Sequence, residues 1–436
     1  MDMPRQPNAF AVATRRVRNS LGGVIGSRIG RLLGRIGRGE KAAATSEGLL
    51  DLAGALLSLR GKASGPSLAS TFFDLYEATE KGARQSFLGQ LYAKYPRDKA
   101  AIDQAIAAWK EQPDEAAAAL LNQATESPLH HLIRQLNLAP GGTRRLIAMR
   151  EDLLEAPETH GLRELDREFE GVFESWFNAG FLELRRIEWS TSAALLERII
   201  KYEAVHSIHG WDDLRRRVEP LDRRCYGFFH PQMADDPLIF VEVALTDNLP
   251  AAIGPIIGEG REHIDPREAS YAIFYSISNC QEGLRGIPFG NFLIKQVVGL
   301  LKQELPNLER FATLSPVPGF ARWLEREGVE ASRLSPASLR YEAARYLVTG
   351  RGKSGGPADP VARFHLGNGA RLEAVHTAAD LSPKGLKQSH GVMVNYCYDL
   401  DEIEANLLAL SELDTVATSD GVRELVEPAK TKPAAA

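Results

Sequence analysis

The sequence predicts an α+β protein, in which an N-terminal all-α helical bundle precedes a domain built on a mixed sheet. Apolar residues recur at three- and four-residue steps from about residue 46 to residue 200, as one buried helix face requires. After about residue 220, runs rich in β-branched and aromatic residues are separated by turn signals, which is typical of strands. We therefore expect a helical domain over 46–190 and a sheet domain over 191–423.

The composition limits the class of protein. The chain has 436 residues, enough for two or three domains, and its 44% hydrophobic and 25% charged residues are typical of a soluble globular protein. Its net charge of −5 argues against nucleic-acid binding by the chain as a whole. No run of about 18 apolar residues exists, so no membrane span is expected. The three cysteines lie far apart and form no CxxC pair, which favours a reducing compartment.

The two ends differ from the rest of the chain. Residues 1–45 contain nine basic and two acidic residues, a net charge of +7. We expect a disordered basic leader there, with an amphipathic helix or an organellar transit peptide as alternatives. Residues 424–436 have low complexity and are expected to be a disordered tail. The chain as a whole suits a bacterial cytoplasm, and the leader leaves a mitochondrial location open.

In the first half of the chain, three stretches have apolar residues at helical spacing most clearly, at 72–76, 101–109 and 165–177. Glycine and proline mark the breaks between helices, at Gly65-Pro66, at Pro113 and from Pro140 to Gly142. This half contains no obvious reactive constellation of side chains. We therefore assign it a packing or assembly role and expect self-association through it.

The second half begins with a predicted antiparallel hairpin of strands at 224–229 and 238–245. The elements that follow are a strand at 271–277, a helix at 291–304, a short strand at 310–315, helices near 321–327 and 335–347, a second hairpin of strands at 361–366 and 370–375, and a last strand at 391–398. This order is that of a mixed α+β sheet and differs from the repeated βαβ units of a Rossmann domain.

The loop at 278–291 is the first candidate site. A glycine-bearing loop between a strand and a helix presents backbone N–H groups at the positive end of the helix dipole, which suits a phosphate. Its Arg285-x-x-Pro288-x-Gly290 resembles the Arg/Gln-x-x-Gly-x-Gly/Ala signature of GNAT-type acyltransferases, with proline in place of the first glycine. In those proteins the loop amides hold the pyrophosphate of coenzyme A. A plain strand-to-helix turn is the alternative.

Ser315 is the second candidate. It ends a short strand, because Pro316 and Pro318 prevent the strand from continuing. This position would place its hydroxyl at an opening of the sheet, beside the glycine-bearing loop. A serine that satisfies the start of the following helix is the alternative reading.

His365 is the third candidate. On the expected strand 361–366, Arg363 and His365 share one face, whereas Phe364 and Leu366 share the other. A histidine held on a rigid hairpin suits proton transfer near neutral pH. A solvated histidine that faces the neighbouring strand is the alternative.

Other phosphate and metal sites find no support in the sequence. The chain contains no GxxxxGK[ST] P-loop, no GxGxxG that opens a βαβ unit and no HExxH. His206 and His209 have the i, i+3 spacing of two ligands on a helix, but no acidic third ligand follows at a recognisable spacing. Histidines that cap or pack a helix end are the alternative, and we expect no metal site.

Several segments together resemble malonyl-CoA decarboxylase, over about residues 46–410. The matching segments are 206–218, 223–226, 272–278, 289–295, 314–320, 359–369 and 395–396. The resemblance implies an N-terminal helical domain joined to a GNAT-like catalytic domain. It also implies malonyl-CoA as the substrate, acetyl-CoA and carbon dioxide as the products, and no cofactor besides the coenzyme A of the substrate.

The resemblance also implies roles for individual residues. Ser315 corresponds to the family's active-site serine and His365 to its histidine proton donor. The segment that matches the coenzyme A-binding loop consists of Arg285, Gly286, Ile287, Pro288, Phe289, Gly290 and Asn291. Supporting hydrogen-bond donors are expected at Ser276, Asn395 and Tyr396. Some relatives have an acidic residue in place of Pro288. The alternatives are a GNAT-type N-acyltransferase and a non-catalytic protein that binds malonyl-CoA.

Overall fold

A computed structural model describes residues 46–287, 290–352 and 355–427. These residues form two compact units, one of which contains residues 46–178 together with Gln281–Ile287, while the other contains the remainder. The expected leader and residues 428–436 of the expected tail lie outside the described residues. The last helix ends at Val426, so the first residues of that tail are helical.

The helical unit is all-α, as its apolar periodicity predicts. Its helices are α1 (Ser46–Leu57), α2 (Leu59–Glu77), α3 (Lys81–Lys94), α4 (Lys99–Glu111), α5 (Glu115–Thr125), α6 (Pro128–Leu136), α7 (Gly142–Glu155) and α8 (His160–Trp176). Side-chain caps at Asp98, Asp114, Ser127 and Thr159 accept the otherwise unpaired first N–H groups of four of them. Buried aromatic residues, with Phe72 at their centre, hold the bundle together.

The second unit is built on a sheet of eight strands. These are β1 (Glu183–Ile187), β2 (Arg223–Phe229), β3 (Ile239–Thr246), β4 (Tyr271–Asn279), β5 (Arg310–Thr313), β6 (Ser315–Pro316), β7 (Arg371–His376) and β8 (Met393–Tyr398). The strand order is β1-β2-β3-β4-β5-β8-β6, and β7 also pairs with β8. Within the described part of the chain, β4 and β5 form the single parallel pair and all other pairs are antiparallel.

The helices of this unit connect or cover the strands. They are α9 (Ala193–Tyr202), α10 (Trp211–Val218), α11 (Gly254–Ile257), α12 (Gly290–Glu304), α13 (Phe320–Arg326), α14 (Pro336–Thr349), α15 (Pro360–Leu366), α16 (Pro383–Ser389), α17 (Ile403–Leu413) and α18 (Asp420–Val426). The predicted α+β class is thus confirmed, because an all-α segment precedes a mixed sheet. Among the described residues, no helix is long and apolar enough to cross a bilayer.

The prediction of a second hairpin is wrong in its first strand. Residues 361–366 belong to helix α15, and β7 pairs with β8 instead of with this segment. The local start signal explains the difference. Asp359 accepts hydrogen bonds from the N–H groups of Val361 and Ala362, and Pro360 occupies the first turn, where its missing N–H costs nothing. His365 therefore lies in the last turn of a short helix.

Candidate active site

The parallel strands β4 and β5 separate near the middle of the sheet and leave an opening between them. They are paired as far as Phe274 and Thr313, after which Ser315 pairs with β8. On the other side of β4, Glu242 lies opposite Ser276 and the next residue of β3 lies opposite Phe274. The residue between them, Tyr275, is therefore the extra residue of a β-bulge, which turns the strand locally. The predicted opening of the sheet beside Ser315 is present.

A cavity of about 220 Å³ lies at this opening. Its lining residues come from the segment after α9, from β4, from β6 and from α15, and they are Val205, Phe274, Tyr275, Ser276, Ile277, Asn279, Ser315, Pro316, Pro360, Val361, Phe364 and His365. Most of the wall is apolar, with a few polar groups that converge on it, as in sites for small molecules. Three of the predicted residues, Ser276, Ser315 and His365, thus share one cavity.

Ser315 and His365 are in direct contact. Ser315 Oγ lies 3.1 Å from His365 Nε2 and donates to Thr313 Oγ1 at 2.8 Å. On the far side of the imidazole, Nδ1 lies 2.8 Å from the phenol oxygen of Tyr398. Since the serine hydrogen is directed to Thr313, the contact with His365 requires a hydrogen on Nε2. Nδ1 then accepts from Tyr398, and the proton-bearing nitrogen of His365 faces Ser315.

Burial determines the charge of His365. The residue is 4% exposed, and removal from water lowers its pKa to about 3, because burial disfavours the charged imidazolium. The ring of Tyr396 stacks on the imidazole, with ring centroids 4.7 Å apart. His365 is therefore neutral at physiological pH when the cavity holds no anion. The same burial raises the pKa of Tyr398 well above its usual value, so its phenol keeps its proton.

Asp359 links the two segments that carry this pair. One carboxylate oxygen caps α15, which holds His365, and the other accepts the N–H of Gly319 at 2.9 Å. Gly319 follows Ser315 by four residues. A Cβ at Gly319 would overlap the hydroxyl of Tyr346, so the backbone approaches this tyrosine more closely than any side chain would permit. Asp359 thus fixes the helix of His365 against the chain that leaves Ser315.

The three residues that are expected to support the site have different surroundings. Asn395 is fully buried and its amide donates to the carbonyl oxygen of Thr313, so it holds the strands instead of lining the cavity. Tyr396 stacks on His365, and its buried hydroxyl has no hydrogen-bond partner among the described residues. Ser276 lines the cavity, but its hydroxyl donates to both carboxylate oxygens of Glu203, at 2.9 and 2.8 Å.

The glycine-bearing loop is described only in part. Arg285 is exposed and its guanidinium lies 3.5 Å from Glu282. The N–H groups of Arg285 and Ile287 donate to carbonyl oxygens within the loop, while Gly286 has the left-handed φ of +88°. Pro288 and Phe289 lie outside the described residues, and of Gly290 and Asn291 only the backbone, at the start of α12, is described.

Sequence reasoning missed Tyr398 and Thr313, which complete the hydrogen-bond chain through His365 and Ser315. A signal for Tyr398 existed, since Tyr396 and Tyr398 are two residues apart on a strand and share one face. Thr313 precedes Ser315 by two residues in the same way.

His206, one of the two histidines considered as metal ligands, is buried near β4, and its backbone N–H donates to Glu203. In the described ranges, no group of three His, Cys, Asp or Glu side chains could hold a metal.

Two protein-family models match the chain. The model of the malonyl-CoA decarboxylase C-terminal domain matches residues 180–339 and 329–436, and that of the malonyl-CoA decarboxylase N-terminal domain matches residues 95–177. Curated relatives include the mitochondrial malonyl-CoA decarboxylases of Anser anser anser and Rattus norvegicus, each 32% identical. The first alignment covers 82% of this chain and 83% of the relative, and the second covers 84% and 87%.

Two solved structures are similar to this chain in both sequence and fold. The malonyl-CoA decarboxylase of Rhodopseudomonas palustris is 48% identical, with a TM-score of 0.81 over 87% of this chain and 99% of that one. The enzyme of Agrobacterium vitis is 46% identical, with a TM-score of 0.82 over 87% of this chain and 100% of that one.

Proposed function

The chain belongs to the malonyl-CoA decarboxylase family, and from that premise we propose that Ser315 and His365 carry out its reaction. The protein is a carboxy-lyase that converts malonyl-CoA to acetyl-CoA and carbon dioxide. The observation that supports the assignment of residues is the 3.1 Å contact between Ser315 Oγ and His365 Nε2 in the wall of a cavity.

The substrate supplies its own electron acceptor. The bond between the α-carbon and the carboxylate breaks, carbon dioxide leaves, and the electron pair passes to the thioester carbonyl as an enolate. The α-carbon then takes one proton to give acetyl-CoA. Because the thioester holds the electron pair, we propose that the reaction needs no cofactor other than the coenzyme A of the substrate. What the protein must supply is orientation, exclusion of water and the proton.

Ser315 is the proposed contact for the malonyl carboxylate. Its hydrogen is directed to Thr313, and a rotation of the hydroxyl would direct it to a bound anion instead. A charge-assisted hydrogen bond of this kind is about twice as strong as a neutral one. The bond would fix the orientation in which the carboxylate leaves.

His365 is the proposed proton donor. An opposite charge within about 4–6 Å favours the charged form of a histidine, so the substrate carboxylate should raise the low pKa of His365 and allow it to bind a proton. When carbon dioxide leaves, the negative charge moves to the enolate, and Nε2 can give its proton to the α-carbon. The enzyme would thus carry an imidazolium only while substrate is bound.

The coenzyme A portion of the substrate is assigned to two further places. The proposed site for its pyrophosphate is the loop from Arg285 to Asn291. Since Ile287 uses its N–H within the loop, the phosphate contacts would come from Gly286 and from residues after 287. The pantetheine arm is proposed to run between β4 and β5 where these strands part. Self-association through the helical unit and a cytoplasmic location are further proposals, and a mitochondrial one rests on the leader alone.

One experiment tests both the activity and the proton donor. The purified protein is incubated with malonyl-CoA and a chelator, and acetyl-CoA and carbon dioxide are measured. We expect turnover with wild type, no dependence on an amine acceptor, and almost no acetyl-CoA with His365→Asn, which should still bind coenzyme A. Near-normal turnover by that variant would refute the role of His365, whereas a requirement for an amine acceptor would indicate an acyltransferase.

A further inference from the structure

Arg150 is a buried arginine of the helical unit whose guanidinium contacts the backbone of the glycine-bearing loop. Its side chain in α7 is 1% exposed. Nη1 donates to the carbonyl oxygens of Gly283 and Arg285, at 3.0 and 2.9 Å. These contacts join residues more than 130 positions apart in the chain, inside one compact unit.

Two carboxylates compensate the charge of this arginine. Nε donates to Asp166 at 2.7 Å and Nη2 to Glu170 at 3.2 Å, both from α8. The side chains of Asp166 and Glu170 are 23% and 38% exposed, and ion pairs of this kind add little net stability, because water screens the exposed charge and burial of the arginine costs solvation. If Arg150 only joined two helices, an apolar side chain would serve as well. Its distinctive contribution is the Nη1 group, which donates to two carbonyl oxygens of the loop while Nε and Nη2 hold the carboxylates.

The loop is also held by its own geometry. A Cβ at Gly283 would overlap the carbonyl oxygen of Ile147 in α7, so only glycine allows this close approach. Gly286 has a φ of +88°, which side-chain-bearing residues rarely adopt. The loop backbone therefore has a defined path through residues 283–286, fixed by α7 on one side and by two glycines within it.

We infer that Arg150 is a positioning residue for the coenzyme A moiety, which acts by holding the backbone of residues 283–287 in the conformation that receives the pyrophosphate. The inference rests on the proposed role of this loop in substrate binding. With Arg150 in place, the loop is ordered before the ligand arrives, so binding need not bear the entropy of ordering it. The helical unit thereby takes part in substrate binding.

A substrate without the nucleotide separates this role from a purely structural one. Malonyl-pantetheine carries the same thioester and carboxylate as malonyl-CoA but lacks the pyrophosphate that the loop is proposed to bind. A defect in loop position should affect malonyl-CoA and spare malonyl-pantetheine. A general loss of helix packing should affect both substrates alike or neither.

The experiment compares wild type with Arg150→Met, Arg150→Lys and Asp166→Asn, and measures kcat and KM for both substrates together with the Kd for coenzyme A. We expect Arg150→Met to raise the KM for malonyl-CoA and the Kd for coenzyme A about tenfold, with kcat nearly unchanged. Malonyl-pantetheine should be used as by wild type. Arg150→Lys and Asp166→Asn should give smaller shifts in the same direction.

Arg145→Met is the matched control, because Arg145 lies on the same helix and pairs with Asp74 and Glu77 instead of the loop. It should leave all kinetic constants unchanged. Equal effects on the two substrates, or no effect of any Arg150 or Asp166 variant on KM, would overturn the inference. Should Arg150→Met fail to fold, as judged by its melting curve, the two milder variants decide. Absence of turnover by wild type would instead contradict the proposed function.

Discussion

His365 Nδ1 lies 2.8 Å from the phenol oxygen of Tyr398, while Nε2 of the same ring lies 3.1 Å from Ser315 Oγ. A phenol that keeps its proton donates to Nδ1 and thereby leaves the histidine hydrogen on Nε2. The two contacts also fix the plane of the ring. Tyr398 is thus the group that selects the tautomer with its proton-bearing nitrogen directed to Ser315.

Tyr398→Phe should lower kcat with little change in KM. The substitution keeps the ring but leaves the buried Nδ1 without a donor, an arrangement that costs about 1–3 kcal/mol and favours the other tautomer. We expect kcat to fall about tenfold or more in a steady-state assay with malonyl-CoA. Tyr341→Phe, at an exposed position on α14, is the control and should behave as wild type. An unchanged kcat for Tyr398→Phe would mean that the ring orientation is set by packing alone.

Ser315→Ala should lower kcat more than it raises KM. If the serine hydroxyl orients the departing carboxylate, its loss removes an interaction that matters most in the transition state. A fall in kcat of roughly 100-fold is expected, by comparison with the loss of single preorganised donors in other enzymes. Steady-state kinetics with malonyl-CoA provides the measurement. An effect on KM alone would make Ser315 a binding residue only.

The buried His365 should make stability depend on pH. Its pKa is lowered to about 3 in the folded protein, whereas an unfolded histidine has a pKa of about 6.5. Between these values the unfolded state binds the extra proton, so the wild type loses stability as the pH falls below about 6.5. His365→Asn lacks this group and should lose about 1 kcal/mol less between pH 7 and pH 5.5.

Urea unfolding of the two proteins at both pH values measures this difference. The buried His206, whose pKa is lowered to about 4, is present in both proteins, so its contribution cancels in the comparison. Equal losses of stability in wild type and variant would show that His365 is solvated or protonated in the folded state.

Asp359→Ala should reduce activity as well as stability. It removes the cap of α15 and leaves the N–H of Gly319 without its acceptor, so the segments that carry His365 and Ser315 lose their link. We expect a stability loss of about 1–3 kcal/mol and a clear fall in kcat. Ser335→Ala is the control, because Ser335 also caps a helix that begins with proline. It should cost stability without any change in kcat.

Local signals were sufficient for much of the fold. The hairpin of β2 and β3, the strand β4 and the helix α12 lie within a few residues of their predicted positions, because strand alternation and helix periodicity are properties of short segments. The strand β1 was missed, since its five residues, with an exposed or half-exposed face, carry a weak pattern inside a region read as helical.

The element that holds His365 shows where such reasoning fails. A segment of seven residues spans two helical turns at most, so the apolar pattern of Phe364 and Leu366 is too short to distinguish a strand from a helix. The helix start signal, with Asp359 as the N-cap and Pro360 in the first turn, was the better guide. Long-range partners had no local signal at all. The contacts of His365 with Tyr398 and of Arg150 with Gly283 depend on how distant segments meet in the folded chain.

The close approach of Gly283 to Ile147 bears on how such a protein can be recombined. The loop at 281–287 is flanked in sequence by segments of the sheet unit, but it belongs to the helical unit and packs closely against α7 of that unit. A substitution in α7 near Ile147 therefore limits the residues that the loop near Gly283 can contain, and a substitution in the loop limits α7 in the same way. A chimera that takes residues 46–178 from a relative should require residues 281–287 from the same donor. The part of the protein that can be exchanged as one piece is therefore discontinuous in sequence.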